Sequence, residues 1–170
     1  MPLSWNEIRK RAIAFSQEFA DATRENAETQ SFYNAFFDVF GISRRRVASF
    51  EEPVKKLGDK RGRIDLFWKG LLLIEQKSGG RDLTAAYTQA LDYFPNLKEE
   101  ELPRYILVSD FQRFELYDLE TKQVNKFTLS ELHKNVELFG FIAGYQKREF
   151  KDQDPVNIEA SERMGKLHDM

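Results

Sequence analysis

The strongest constraint in this chain is the run Leu71-Leu72-Leu73-Ile74, which leads directly into Glu75-Gln76-Lys77 and stops at Gly79-Gly80. An unbroken apolar run of this length between turn signals describes a strand buried on both faces, the centre of a sheet. Residues i and i+2 share a face of a strand, so Glu75 and Lys77 point the same way. Charges at the end of a central strand are costly to bury without a purpose. Just upstream, residues 63–68 alternate, with Ile64, Leu66 and Trp68 on one side and Arg63, Asp65 and Phe67 on the other. Lys69-Gly70 is the turn signal between the two strands.

Whether Asp65 meets Glu75 depends on register. Directly opposed residues of an antiparallel pair share a face, and a slip of one residue sends a side chain through the sheet. A two-residue turn at Lys69-Gly70 sets Asp65 against Ile74. A three-residue loop, Lys69-Gly70-Leu71, pairs Trp68 with Leu72 and sets Asp65 against Glu75 and Arg63 against Lys77. Such loops commonly hold a left-handed residue, which Gly70 supplies. The second register is expected.

Two carboxylates converging beside a Lys form a hard-oxygen site suited to Mg²⁺, with Mn²⁺ as a substitute. A metal held by Asp65 and Glu75, with the carbonyl of Gln76 completing its shell, can polarise a phosphoryl oxygen and acidify a bound water. Lys77 can orient that water or stabilise developing charge. The competing reading is a cross-strand salt bridge on a solvated edge. The preceding apolar run counts against it, because ionisable groups clustered at a buried strand mark a site candidate.

The remaining elements follow from periodicity. Ser4 with Glu7 is a capping box, opening a helix through Ile8, Ala12, Phe15, Phe19 and Ala22. Polar residues 24–30 break it, and a second helix carries Phe32, Ala35, Phe36, Val39 and Phe40 up to Gly41. Residues 46–50 read as a strand, followed by a basic loop to about Gly62. Residues 82–94 read as a helix that places Gln89 and Tyr93 on one face at i, i+4; alone, that pair is ordinary helix surface. Tyr105–Val108 is another strand, and Phe114–Tyr117 with Val124–Phe127 a hairpin. Ser130 caps a helix to about Ala143, 146–155 is a linker, and a further helix begins near Val156. Three strands, a crossover helix and further strands make an α/β fold with a mixed sheet and helices on both faces.

With 170 residues, 41% of them apolar and 15 Phe among them, one domain can bury a real core. The absence of Cys excludes disulfides, thiolate metal sites and a Cys nucleophile. No phosphate-binding loop, dinucleotide fingerprint or serine nucleophile elbow is present, and His133 and His168 are isolated. No signal peptide or membrane-length apolar run appears. Net charge is only −2, yet Arg44, Arg45, Arg46, Lys55, Lys56, Lys60, Arg61 and Arg63 against Glu51, Glu52 and Asp59 give residues 44–63 a charge of 8 − 3 = +5. That segment reads evenly as a solvated loop or as a phosphate-contacting patch, and its lead into Asp65 favours the patch.

Asp65, nine residues, then Glu75-Gln76-Lys77, followed by Gln89 and Tyr93, resembles the PD-(D/E)xK nuclease superfamily. The stretches LSWNEIRKRAIAFSQEF, FFDVFGISRRRVASFE, DLFWKGLLLIEQKSGGRDLTAAYTQALDYF and ELPRYILVSDFQRFELYDL are similar to the N-terminal region of MmeI-like (type IIL) restriction–modification enzymes over roughly residues 3–150. Those enzymes join a nuclease, a helical connector, an adenine methyltransferase and a target-recognition domain. The resemblance implies a restriction-endonuclease-like sheet, with Asp65, Glu75 and Lys77 catalytic and Gln89 and Tyr93 in support. It implies double-stranded DNA as substrate, Mg²⁺ as cofactor and a bacterial cytoplasmic setting. Residues 1–145 would be the endonuclease domain and 146–170 the start of the connector. S-adenosylmethionine would belong to a methyltransferase part beyond this chain. One departure is Ile64, which stands where the superfamily motif has Pro.

Overall fold

The computed structural model describes residues 3–55 and 61–144. Helix α1 (Trp5–Glu18) begins where Ser4 Oγ accepts the Glu7 amide at 3.1 Å, and it buries Ile8, Ala12 and Phe15. Helix α2 spans Glu25–Val39, so the expected break at 24–30 is confined to the residues before it. Its first two turns are polar apart from Ala27 and bury no side chain. Glu28 holds the start by accepting the amides of Thr23 and Arg24 at 2.9 and 2.8 Å.

The strand expected at 46–50 is displaced. Arg44–Val47 forms a single helical turn, α3, and β1 runs Ser49–Lys55, where a basic loop was expected. Strands β2 (Arg61–Trp68) and β3 (Leu72–Gln76) follow, then α4 (Leu83–Leu91), capped by Asp82 Oδ1 at the Thr84 and Ala85 amides. Strands β4 (Tyr105–Ser109), β5 (Arg113–Asp118) and β6 (Val124–Thr128) complete the sheet. The helix expected from Ser130 begins instead as two 3-10 segments, Leu129–Lys134 and Val136–Phe139, separated at Asn135, and residues 140–144 then wind as α-helix. Thr128 caps the first through Glu131. The linker and final helix expected after residue 145 lie outside the described residues.

The sheet order is β1-β2-β3-β4-β5-β6, antiparallel except for β3 beside β4, whose parallel pairing requires the α4 crossover. Helices cover both faces. Phe15, Phe32, Phe36, Phe37 and Phe40 of α1 and α2 pack on Leu66, Ile74, Leu107 and Phe114. On the other face Leu83, Ala86, Ala90 and Tyr93 pack on Ile64, Phe67, Leu73 and Ile106. The mixed α/β architecture is the expected one.

The β2–β3 register pairs Trp68 with Leu72, Phe67 with Leu73 and Leu66 with Ile74. This is the three-residue-loop register, with Gly70 at φ +78°. A Cβ there would come 3.0 Å from the Glu100 carbonyl, so both conformation and space call for glycine. The ladder stops at Leu66–Ile74, because alternation fails next to it. Ile64 joins the α4 core while Leu66 joins the α2 core, so side chains two apart lie on opposite faces. Phe50 and Val54 of β1 change sides likewise, across Glu51 at φ +52°. Both strands turn over at Glu51 and Asp65, and β2 separates from β3 there.

Candidate active site

That separation leaves the Gln76 amide without a β2 carbonyl, and the Asp65 carboxylate takes its place, accepting from Gln76 N at 2.7 Å. A strand amide points along the sheet, so Asp65 lies in the notch between β2 and β3. This differs from the direct cross-strand pairing expected, and neither Asp65–Glu75 nor Arg63–Lys77 is a rung of the ladder. The two carboxyls nevertheless converge, near enough for Glu75 to influence the acidity of Asp65.

Glu75 is 1% exposed. Lys77 lies one residue past β3, and its amide donates to Ser109 O at 2.8 Å, which prolongs the alternation. Its Nζ sits 3.7 Å from Glu75 Oε2 and donates to Gln89 Oε1 at 2.7 Å. Gln89 therefore positions the ammonium. Tyr93, two residues past the end of α4, donates to the Arg63 carbonyl at 2.7 Å and holds β2 two residues before Asp65. The side chain of Gln76 turns to the other face, where its Oε1 accepts from Tyr33. Its backbone carbonyl is the group left for a metal.

Burial is the main reason the Asp65 carboxyl is raised to about 6; the Gln76 amide opposes this, and the negative charge of Glu25 adds to it. Glu25, the first residue of α2, also lines a cleft of about 400 Å³ that opens on Asp65. Nothing in the local spacing announced Glu25, because it reaches the site across the fold. Tyr33 and Asp110 were missed for the same reason. Asp110 is 2% exposed and accepts from Gly80 N at 3.1 Å and from Arg113 N at 2.8 Å. Gly79 N in turn donates to Thr23 O, and Glu25 N to Ser78 Oγ.

Among the described residues no group of three or more His, Asp or Glu is placed to hold a metal. The notch offers two carboxylates and a carbonyl, which fits a hard dication that keeps several waters. A buried and a half-buried carboxyl beside one ammonium also leave a negative excess that such a cation would neutralise.

The basic residues divide. Arg44 is committed to packing: it stacks on Phe50 at 4.1 Å and donates to Asn34 Oδ1 and Ala48 O. Arg45 and Arg46 are exposed on α3. Lys55 and Arg61 are exposed and opposite one another on the β1–β2 hairpin. Lys56 and Lys60 lie outside the described residues. Among the described residues no helix is long and apolar enough to cross a membrane.

DNA methyltransferase A of Bacillus subtilis (strain 168) is 24% identical over 148 residues, covering 85% of this chain and 16% of that protein. The chain thus spans about a sixth of that relative's length. No solved structure matches the chain. The family model described as MmeI, N-terminal domain, matches residues 10–170, and the chain belongs to that family.

Proposed function

We propose that this domain hydrolyses phosphodiester bonds of double-stranded DNA with Mg²⁺, as the cleavage part of a restriction–modification enzyme. The observation that carries this reading is the meeting of Asp65, Glu75 and the Lys77 ammonium in one notch. Asp65, Glu75 and the Gln76 carbonyl would hold the metal, which supplies a polarised phosphoryl oxygen and an acidified water. Lys77, fixed by Gln89 and a quarter exposed, presents its charge where the phosphate gains negative charge. Tyr93 keeps β2, and with it Asp65, at the separation the site needs. The relative's name supports a DNA-acting protein that also transfers methyl groups; methyltransferase and target-recognition domains in the same longer chain would be its partners.

Because that relative is named for methyl transfer alone, a catalytically silent DNA-binding module is the second reading. One experiment separates them. The 170-residue chain should nick plasmid DNA with Mg²⁺ or Mn²⁺ but not with EDTA, and Lys77→Ala should abolish nicking. DNA binding without metal-dependent nicking would decide for the silent module.

A further inference from the structure

Beyond its turnover point β2 carries a row of cations on one face. Arg61 and Arg63 are exposed while Ile64 is buried against α4, so Arg61 and Arg63 share the side away from that helix, and Arg63 pairs with Glu51, which lines the same cleft as Asp65. Lys55 stands opposite Arg61, and Lys55, Arg61 and Arg63 line an open groove of about 570 Å³. Among the described residues Arg63 pairs with Glu51 at 3.9 Å; both side chains are largely exposed and the pair is readily exchanged. The Arg63 backbone is fixed from the opposite side by Tyr93. Arg63 thus has a fixed backbone and an exposed charge.

Alternate residues of a strand are spaced about 6.6 Å apart. Successive phosphates of one DNA strand rise 3.4 Å while turning a tenth of a revolution, which also separates them by roughly 6–7 Å. We infer that β2 is a phosphate track in register with the cut: Asp65 addresses the scissile phosphate, Arg63 its immediate neighbour on the same strand, and Arg61 with Lys55 the next. This rests on the nuclease reading and adds the register to it. Arg63 and Arg61 are positioning residues with different partners.

The register is testable with a duplex whose linkages alternate between phosphodiester and uncharged methylphosphonate. Every cleavable phosphate there keeps its second neighbours and loses its first. On ordinary duplex Arg63→Gln and Arg61→Gln should each slow Mn²⁺-dependent cleavage by the 170-residue chain roughly tenfold, the worth of one charge-assisted hydrogen bond. Each should also reduce the salt dependence of binding by about one phosphate. On the alternating duplex the Arg63→Gln loss should vanish and the Arg61→Gln loss persist. Equal Arg63→Gln losses on both duplexes, vanishing of both losses, or no loss on either would overturn the register alone. Failure of the wild type to cut, or undiminished cutting by Lys77→Ala, would overturn the nuclease reading and the register with it.

Discussion

Replacing Asp65 by Asn should make the metal-free protein more stable while disabling its site. The substitution is isosteric, and the Asn carbonyl can still accept from the Gln76 amide 2.7 Å away. What it removes is a charge that the fold holds at a cost. The Asp65 carboxyl is raised from 3.8 to about 6, chiefly by burial. At about 1.4 kcal/mol per unit the ceiling is about 3 kcal/mol, and partial exposure of Asp65 reduces this to about 1–2 kcal/mol. The sign follows from proton binding. Between pH 3.8 and about 6 the folded form holds the proton more tightly than the unfolded chain, so stability falls as pH rises. The penalty is absent below that window and complete above it. In EDTA at pH 7.5, Asp65→Asn should melt above wild type by about 2–8 °C for a domain of this size. At pH 4 the difference should largely disappear. Adding Mg²⁺ or Mn²⁺ at pH 7.5 should raise the wild-type melting temperature by linkage and leave the variant unmoved. Thermal melts at the two pH values, with and without metal, are sufficient. A variant less stable than wild type at pH 7.5, or equal stabilisation of both proteins by metal, would refute the reasoning.

Two further outcomes concern the fold around the site. Gly70→Ala forces a Cβ onto φ +78° and within 3.0 Å of a backbone oxygen, and should cost about 1–3 kcal/mol in urea unfolding; an unchanged midpoint would show that the loop relaxes freely. Phe36→Ala deletes a fully buried ring that touches Phe15, Tyr33, Phe37, Phe40, Phe114 and Phe139, and should cost about 3–5 kcal/mol by the same measurement.

What was legible in the sequence was what short-range periodicity controls. The run Leu71–Ile74 identified the central strand, and the three-residue loop Lys69-Gly70-Leu71 pairs Trp68 with Leu72 as expected, although Asp65 and Glu75 are not a rung of that ladder. Alternation in β2 was assumed to continue, however, and it fails at Asp65 because β1 and β2 turn over together. Such a turnover depends on how two strands pack against two different cores, which no single strand encodes. The early start of α2 was hidden because solvated first turns resemble a loop. The start of the last helix was misread because apolar residues at 3.6 spacing do not distinguish α from 3-10 winding, while its end at 140–144 is α-helical. Glu25, Tyr33 and Asp110 reach the site from distant segments, and only the assembled sheet brings them there.

The clasps around the notch have a consequence for control. Thr23 holds Gly79, Ser78 holds Glu25, and Asp110 holds both Gly80 and Arg113. Three segments that meet only through folding are thereby locked into one block before any DNA arrives. On the nuclease reading the described residues of such a centre are already assembled, so it is armed from the moment it folds. Restraint must then come from delivery: what decides whether a phosphate is cut is whether it is brought within reach, and that task falls to whatever carries this block to the duplex.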